Sequence, residues 1–258
     1  MWNNIIDNYT YYMENEKKLT KNTLDAYIRD AHLFNSYISN QNIASFTDIN
    51  KTTIITYLVY LQRKGKSSST ISRNLASIRC LFQYLLNNRI ISEDPTLNLK
   101  SPRKDKKPPA ILTMDEVNIL LETPDSKEEK GSRDKAILGL LYATGLRVSE
   151  LSSLNIDSID IDTGIVKLPD GVYDRIIPIG KPALLSLKEY LTNFRTSSKT
   201  EEPLFINYNG TRLTRQGLWK IIKSYSDKAE IKKSITPQIL RNSSAIHSVQ
   251  NCDNIKTM

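Results

Sequence analysis

Two arginines in this chain stand in frames that suit a shared task. Arg147 lies within Ala143-Thr144-Gly145-Leu146-Arg147-Val148-Ser149-Glu150-Leu151, and Arg241 ends Thr236-Pro237-Gln238-Ile239-Leu240-Arg241. They are 94 residues apart, so only folding can bring them together. A guanidinium presents a planar fork of N–H donors and stays charged at any ordinary pH. Two such forks on one phosphate bind its oxygens and polarise it. Taken singly, each motif has a plainer reading. Arg147 can pair with Glu150 one turn on, and Arg241 can be a helix-surface arginine.

The elements that must position these residues can be read from periodicity and caps. Residues 1–92 read as mostly helical. Thr23 is placed to cap a helix through Leu24, Tyr27, Ile28, Ala31, Phe34 and Tyr37. A second helix is expected over about Lys51–Gln62, broken by Lys64-Gly65-Lys66-Ser67-Ser68-Ser69. A third carries Ile71, Leu75, Ile78, Leu81, Phe82 and Leu85 on one face, with Arg73 and Arg79 on the other. That polar face suits a phosphate backbone, and it also suits ordinary solvent. After Asp94-Pro95 the chain turns irregular, and Lys100–Ala110 reads KSPRKDKKPPA, where prolines and like charges disfavour regular structure.

Past that segment, Thr113-Met114-Asp115-Glu116 is a capping-box pattern. Asp134–Ala143 is strongly apolar and is stopped by Gly145. A short helix follows from about Val148. Gly164–Leu168 and Arg175–Ile179 read as two strands joined by a turn around Pro169-Asp170-Gly171. Helices are expected at about Lys181–Asn193, Thr214–Ala229 and Pro237–Val249.

Composition bounds the function. A chain of 258 residues, 39% hydrophobic, fits two modest domains. It has no run of about 18 apolar residues, and its start, Met1-Trp2-Asn3-Asn4-Ile5-Ile6-Asp7, lacks the basic and apolar regions of a signal peptide. The two cysteines, Cys80 and Cys252, fit reduced thiols, so the expected location is cytoplasmic. Of the net charge of +8, residues 1–107 carry +7, from 16 Lys and Arg against 9 Asp and Glu. A basic half points to a polyanion, and a Lys-rich solvated surface is the plainer alternative.

Four stretches together resemble the tyrosine recombinase/integrase family, especially its bacterial Xer-type members. They are the two arginine motifs, the strand Arg175-Ile176-Ile177-Pro178-Ile179, and the helix start Leu213-Thr214-Arg215-Gln216-Gly217-Leu218-Trp219-Lys220. Their order and spacing agree with the family, and the resemblance covers essentially the whole chain. It implies a mainly α protein with three parts. Residues 1–98 form a helical, SAM-like core-binding domain that binds DNA. Residues 99–110 form a basic Pro-rich linker. Residues 111–258 form a C-terminal α/β domain of the recombinase type with a small antiparallel sheet, incomplete at its C-terminus.

In such enzymes a tyrosine attacks the scissile phosphate, two arginines stabilise the charge that builds, a histidine assists proton transfer, and a hairpin lysine protonates the leaving oxygen. The resemblance makes Arg147 and Arg241 the phosphate-binding pair and Glu150 an orienting carboxylate. It puts Gln238 at the histidine position, Asp170 at the lysine position, and Asn242 at a second histidine position. Lys167, three residues from Asp170, points to the opposite strand face. His247 matches a residue with a packing role. No tyrosine follows Arg241. Arg73, Arg79, Lys104, Lys106, Lys107, Arg212 and Arg215 are expected DNA contacts.

The expected function is therefore a DNA-binding protein of site-specific recombination or integration that does not itself cleave DNA. Two alternatives stay open: an active recombinase with a rearranged or trans-supplied nucleophile, and a non-catalytic DNA-binding regulator. The expected partners are double-stranded DNA and homologous recombinase protomers. No membrane, small-molecule substrate, cofactor or metal is expected.

Overall fold

Side-chain caps start several of the helices, but the second helix begins at Lys21 with Thr20 as its N-cap, which places Thr23, expected as the cap, inside the first turn. The computed structural model describes residues 2–17, 19–102, 108, 110–170, 173–195 and 201–256. The chain divides into two units, residues 1–107 and 108–258.

The first unit holds α1 (Trp2–Asn15), α2 (Lys21–Asn40), α3 (Lys51–Arg63) and α4 (Ser68–Asn87). Asn50 caps α3 by accepting from the Thr53 amide, and Ser67 caps α4 by accepting from that of Thr70. The stripe on α4 is buried as its spacing predicts, from Ile71 through Leu75, Ile78, Leu81, Phe82 and Leu85. Phe34 of α2 meets Tyr57 of α3 and Phe82 of α4 edge-on, at ring centroid distances of 5.0 and 6.1 Å.

Polar groups cross the same core. The carboxylate of Asp30 is buried on α2. It accepts from Nε and Nη2 of Arg73 at 2.9 Å each, and from the Asn74 amide at 3.1 Å. Tyr57 donates its hydroxyl to Asn74 Oδ1 at 2.9 Å, so three helices share one network. Arg73, expected as a DNA contact, is thus engaged with the core of the first unit. A buried carboxylate needs a charged partner, and the fork that would grip a phosphate is committed to Asp30. Arg79 is likewise engaged, donating from Nη2 to the Leu99 carbonyl. Leu99 is itself buried in this core, so the packing of the first unit runs past residue 98.

The second unit holds α5 (Met114–Glu122), α6 (Glu129–Thr144), α7 (Val148–Ser153), β1 (Ile159–Asp160), β2 (Ile165–Asp170), β3 (Tyr173–Pro178), α8 (Lys181–Asn193), α9 (Arg215–Lys228) and α10 (Pro237–Lys256). Helix α6 is its centre, burying Ala136, Ile137, Leu138, Leu140 and Leu141. Gly145 ends it in the left-handed region at φ 59°, where a side chain is disfavoured. Gly131, inside its first turn, is fixed by contact instead: a Cβ there would sit 1.8 Å from the Asp125 carbonyl oxygen.

The sheet is antiparallel in the order β1-β2-β3. Two features differ from the sequence reading. A third strand, β1, is present, and β2 continues through Pro169 and Asp170, which pair with Asp174 and Tyr173. β1 pairs only with Ile165 and Val166, so one side of β2 has no partner strand at Pro169 and a missing N–H is tolerated there. Val166 and Leu168 are buried while Lys167 is exposed, as alternation requires.

The entry to this unit is tied to its last helix. The Leu112 amide donates to Ser243 Oγ on α10 at 2.8 Å, and Lys233 donates to the Ile111 carbonyl at 3.2 Å and to Glu116 at 2.7 Å. On the same helix His247 is buried, its Nδ1 2.8 Å from the Tyr142 hydroxyl, which gives it a packing role. No helix among the described residues is long and apolar enough to cross a membrane.

If Arg73 serves the core, Arg73→Met strands a buried carboxylate with only Asn74 beside it. Because Arg73 is itself half exposed, the expected loss is about 2–3 kcal/mol rather than the full cost of breaking a buried pair. Urea unfolding followed by circular dichroism checks this. An unchanged midpoint with weakened DNA binding would return Arg73 to the DNA-contact role.

Candidate functional site

Three helices of the second unit begin at one place. Arg147 is the N-cap of α7, Arg215 is the first residue of α9, and Gln238 and Arg241 lie in the first turns of α10. Thr214 caps α9 by accepting from the Gly217 amide at 3.1 Å. Thr236 accepts from the Ile239 amide at 3.3 Å, and Pro237 fits the first position of α10, where no amide hydrogen is needed. These starts surround a hollow of about 360 Å³ lined by Leu146, Arg147, Val148, Ser149, Arg215, Trp219, Thr236, Pro237, Gln238 and Arg241. No carboxylate lines it. Helix N-termini carry partial positive charge and free amides, so three guanidiniums there make a strongly anion-attracting site.

The arginines of this hollow differ from the rest in their commitments. Arg215 and Arg241 form no hydrogen bond or ion pair with the described residues. Arg147 makes one ion pair, donating from Nη1 to Glu150 Oε1 at 3.0 Å, and its side chain is 62% exposed. The plainer reading of Arg147, pairing with Glu150, is therefore present, and it leaves most of the guanidinium free for a ligand.

Glu150 is the organiser. It also accepts the backbone amide of Arg147 at 2.6 Å, closing a capping box at the start of α7, and Nη2 of Arg175 on β3 at 3.0 Å. Burial pushes its carboxyl up. The Arg147 amide and the two guanidiniums outweigh burial, and the net shift is below the ordinary glutamate value. A second hollow of about 390 Å³ lies on this side of Arg147, lined also by Glu150, Ser153, Leu168, Pro169 and Arg175.

The neutral side of the site is an amide pair. Gln238 donates from Nε2 to Asn242 Oδ1 at 2.8 Å, one turn along α10. Neither side chain carries a titratable proton. Asp170 ends β2, but its side chain is outside the described residues, as are Lys104, Lys106 and Lys107 entirely.

Arg212, expected as a DNA contact, is engaged within the unit. Its Nη1 donates to the carbonyls of Ser152 and Leu154 at 3.0 and 2.8 Å, and Nη2 donates to Asn155 Oδ1. The last carbonyls of a helix lack intrahelical amide partners; at the end of α7 Arg212 supplies donors to Ser152 and Leu154, the latter also accepting from the Leu204 amide at 3.0 Å. Trp219 was missed by the sequence reading. It lies four residues after Arg215, one helical turn on and on the same face, and that spacing was the available signal.

Comparison with known proteins fits both units. Residues 6–89 match the N-terminal SAM-like domain of phage integrase, and residues 110–257 match the phage integrase family. A protein named as a tyrosine recombinase in Caldanaerobacter subterraneus subsp. tengcongensis is 42% identical over 258 residues, covering 100% of this chain and 88% of the relative. The tyrosine recombinase XerD of Oceanobacillus iheyensis is 41% identical over 252 residues, covering 95% and 84%. In fold, the Tn1549 transposon integrase in complex with circular intermediate DNA has a TM-score of 0.77 at 16% identity, covering 96% of this chain and 87% of that one. A lambda integrase dimer bound to a core site has a TM-score of 0.76 at 16% identity, covering 94% and 88%.

Two substitutions separate positioning from phosphate contact. Arg212→Ala removes the donors that close α7 and is expected to cost about 2–3 kcal/mol of stability. Glu150→Gln keeps the shape and loses the charge, at about 1–2 kcal/mol near neutral pH. Because the folded carboxyl titrates below its unfolded value, its contribution is full above the unfolded value and disappears as pH falls through the folded one. The variant should therefore converge with the parent in acid. Unfolding midpoints measured between pH 3 and pH 7 check this, and a constant gap down to pH 3 would count against the charge as the cause.

Proposed function

The chain belongs to the phage integrase family, that of the tyrosine recombinases, and from this membership we propose that it is a DNA-binding protein of site-specific recombination whose arginine hollow grips one backbone phosphate. The observation that carries the reading is the meeting of Arg147, Arg215 and Arg241 at three helix starts, with no acid among the lining residues. Such a site favours a phosphodiester because guanidinium forks and free amides both complement its oxygens. Fold neighbours that include a transposon integrase in complex with DNA and lambda integrase as a dimer on a core site and a tetramer on a Holliday junction support DNA as a partner and further recombinase protomers as another.

The proposed grip is not matched by proton-transfer groups. Gln238 bonds oxygen well but neither takes up nor gives a proton near neutral pH. At the position of the leaving-group lysine, Asp170 substitutes negative charge for positive. General acid–base losses typically cost about 10²–10⁴-fold each, so binding without cleavage is the expected behaviour of these residues. The excess of +7 in residues 1–107 supports electrostatic attachment alongside the phosphate hollow.

Binding to labelled duplex DNA, followed by anisotropy at several salt concentrations, should show a steep salt dependence. Each neutralised phosphate adds about 0.9 to the logarithmic slope. Replacing Lys104, Lys106 and Lys107 with alanine should flatten that slope, and Arg241→Ala should weaken binding by about 10-fold or more, through a lost charge-assisted contact. Salt-independent affinity would refute the polyanion reading.

Incubation with a nicked substrate carrying a recombination site, resolved on denaturing gels, should yield no covalent adduct. A shifted band that disappears in Arg147→Ala would establish instead that the chain cleaves DNA.

A further inference from the structure

The phosphate hollow has a neighbour, and one side chain belongs to both. Trp219 lines the 360 Å³ hollow with Arg147, Arg215 and Arg241, and it also lines an open groove along the outer face of α9 with Lys220, Lys223, Ser224, Asp227 and Lys228. Its side is 43% exposed, unusual for the largest apolar side chain on a helix whose inner face buries Leu218, Ile222 and Tyr225. The ammonium of Lys223 lies 5.3 Å from the ring centroid, in cation–π range. Nothing in the packing of the second unit calls for an exposed indole at this point.

A strand of nucleic acid repeats phosphate, sugar and base. Three guanidiniums, then an indole, then three lysines with a single carboxylate present the same order of chemistry along one surface. Aromatic rings beside cationic grooves bind unpaired bases by stacking, whatever the base, because every base has a π-face. In an intact duplex those faces are stacked on one another and only edges are reachable.

We propose that Trp219 is a stacking platform for an unpaired nucleobase adjoining the phosphate held by Arg147 and Arg241, so that the chain prefers DNA with an unpaired nucleotide to intact duplex. This rests on the phosphate reading above and extends it to the state of the DNA. The lysines of α9 carry the next phosphate of the same strand, and Lys223 braces the indole from above.

The sequence supplies its own probe. Tryptophan occurs only at positions 2 and 219, so Trp2→Phe leaves Trp219 as the sole indole emitter. That variant is titrated with matched labelled duplexes, one intact and one with an unpaired nucleotide at a one-base gap. Anisotropy reports binding and indole emission reports stacking. The gapped duplex should bind about tenfold more tightly and quench the emission more deeply than the intact one. Trp219→Ala should bring the affinity ratio close to one, and Trp219→Phe, which keeps a ring, should restore most of it; circular dichroism confirms that each variant is folded. Equal affinity and equal quenching with the two duplexes, or a preference that survives Trp219→Ala, would overturn the proposal. Failure of the phosphate reading looks different: Arg147→Ala and Arg241→Ala would then leave both affinities unchanged. A chain that binds neither duplex overturns both readings.

Discussion

The carboxylate of Glu150 is the point on which the site depends. It receives one amide and two guanidiniums, from the start of α7 and from β3. Each contact alone is modest at a partly exposed position. Together they fix the helix start, the strand beside it and the direction in which Arg147 leaves the backbone. A guanidinium on a free side chain samples many rotamers and loses that freedom on binding. Held by one of its nitrogens, Arg147 keeps its remaining donors available while much of that loss has already occurred on folding. Arg241 and Arg215 are oriented only by their helices. The hollow thus combines one braced cation with two adaptable ones.

Much of this arrangement was legible in the residues. The capping box at Thr113, the stop at Gly145 and the α4 stripe rest on local rules, and local rules act over a few residues that sequence displays side by side. The arginine pair was legible because its frames are distinctive. What the chain did not disclose was which cations were already in use. Arg73, Arg79 and Arg212 look like surface cations in sequence. Their partners are Asp30, the Leu99 carbonyl, and the carbonyls at the end of α7, lying 20 to 60 residues away. Backbone carbonyls leave no trace in a residue pattern, so a cation that serves them cannot be told from one that awaits a ligand. The extension of β2 through Pro169 was hidden for a related reason. Proline reads as a breaker unless the strand beside it is known to be short.

Replacing titratable groups with amides alters the electrostatics of the site as well as its chemistry. A histidine near three guanidiniums would be driven toward its neutral form and would change charge as pH varied. Gln238 and Asn242 hold one another and keep the same charge throughout. The Glu150 carboxyl, depressed below its ordinary value, stays ionised across the neutral range. Among the described residues of the hollow, nothing changes protonation between mild acid and mild alkali, so its attraction for an anion is constant over that range.

The bond from the Leu112 amide to Ser243 ties the incoming chain to the helix that carries Arg241, two residues away. Lys233 adds a second stitch at Ile111. The segment that enters this unit is therefore anchored on the helix that carries Arg241. A pull along that segment bears first on α10, and a tether becomes a lever on the helix that carries Arg241.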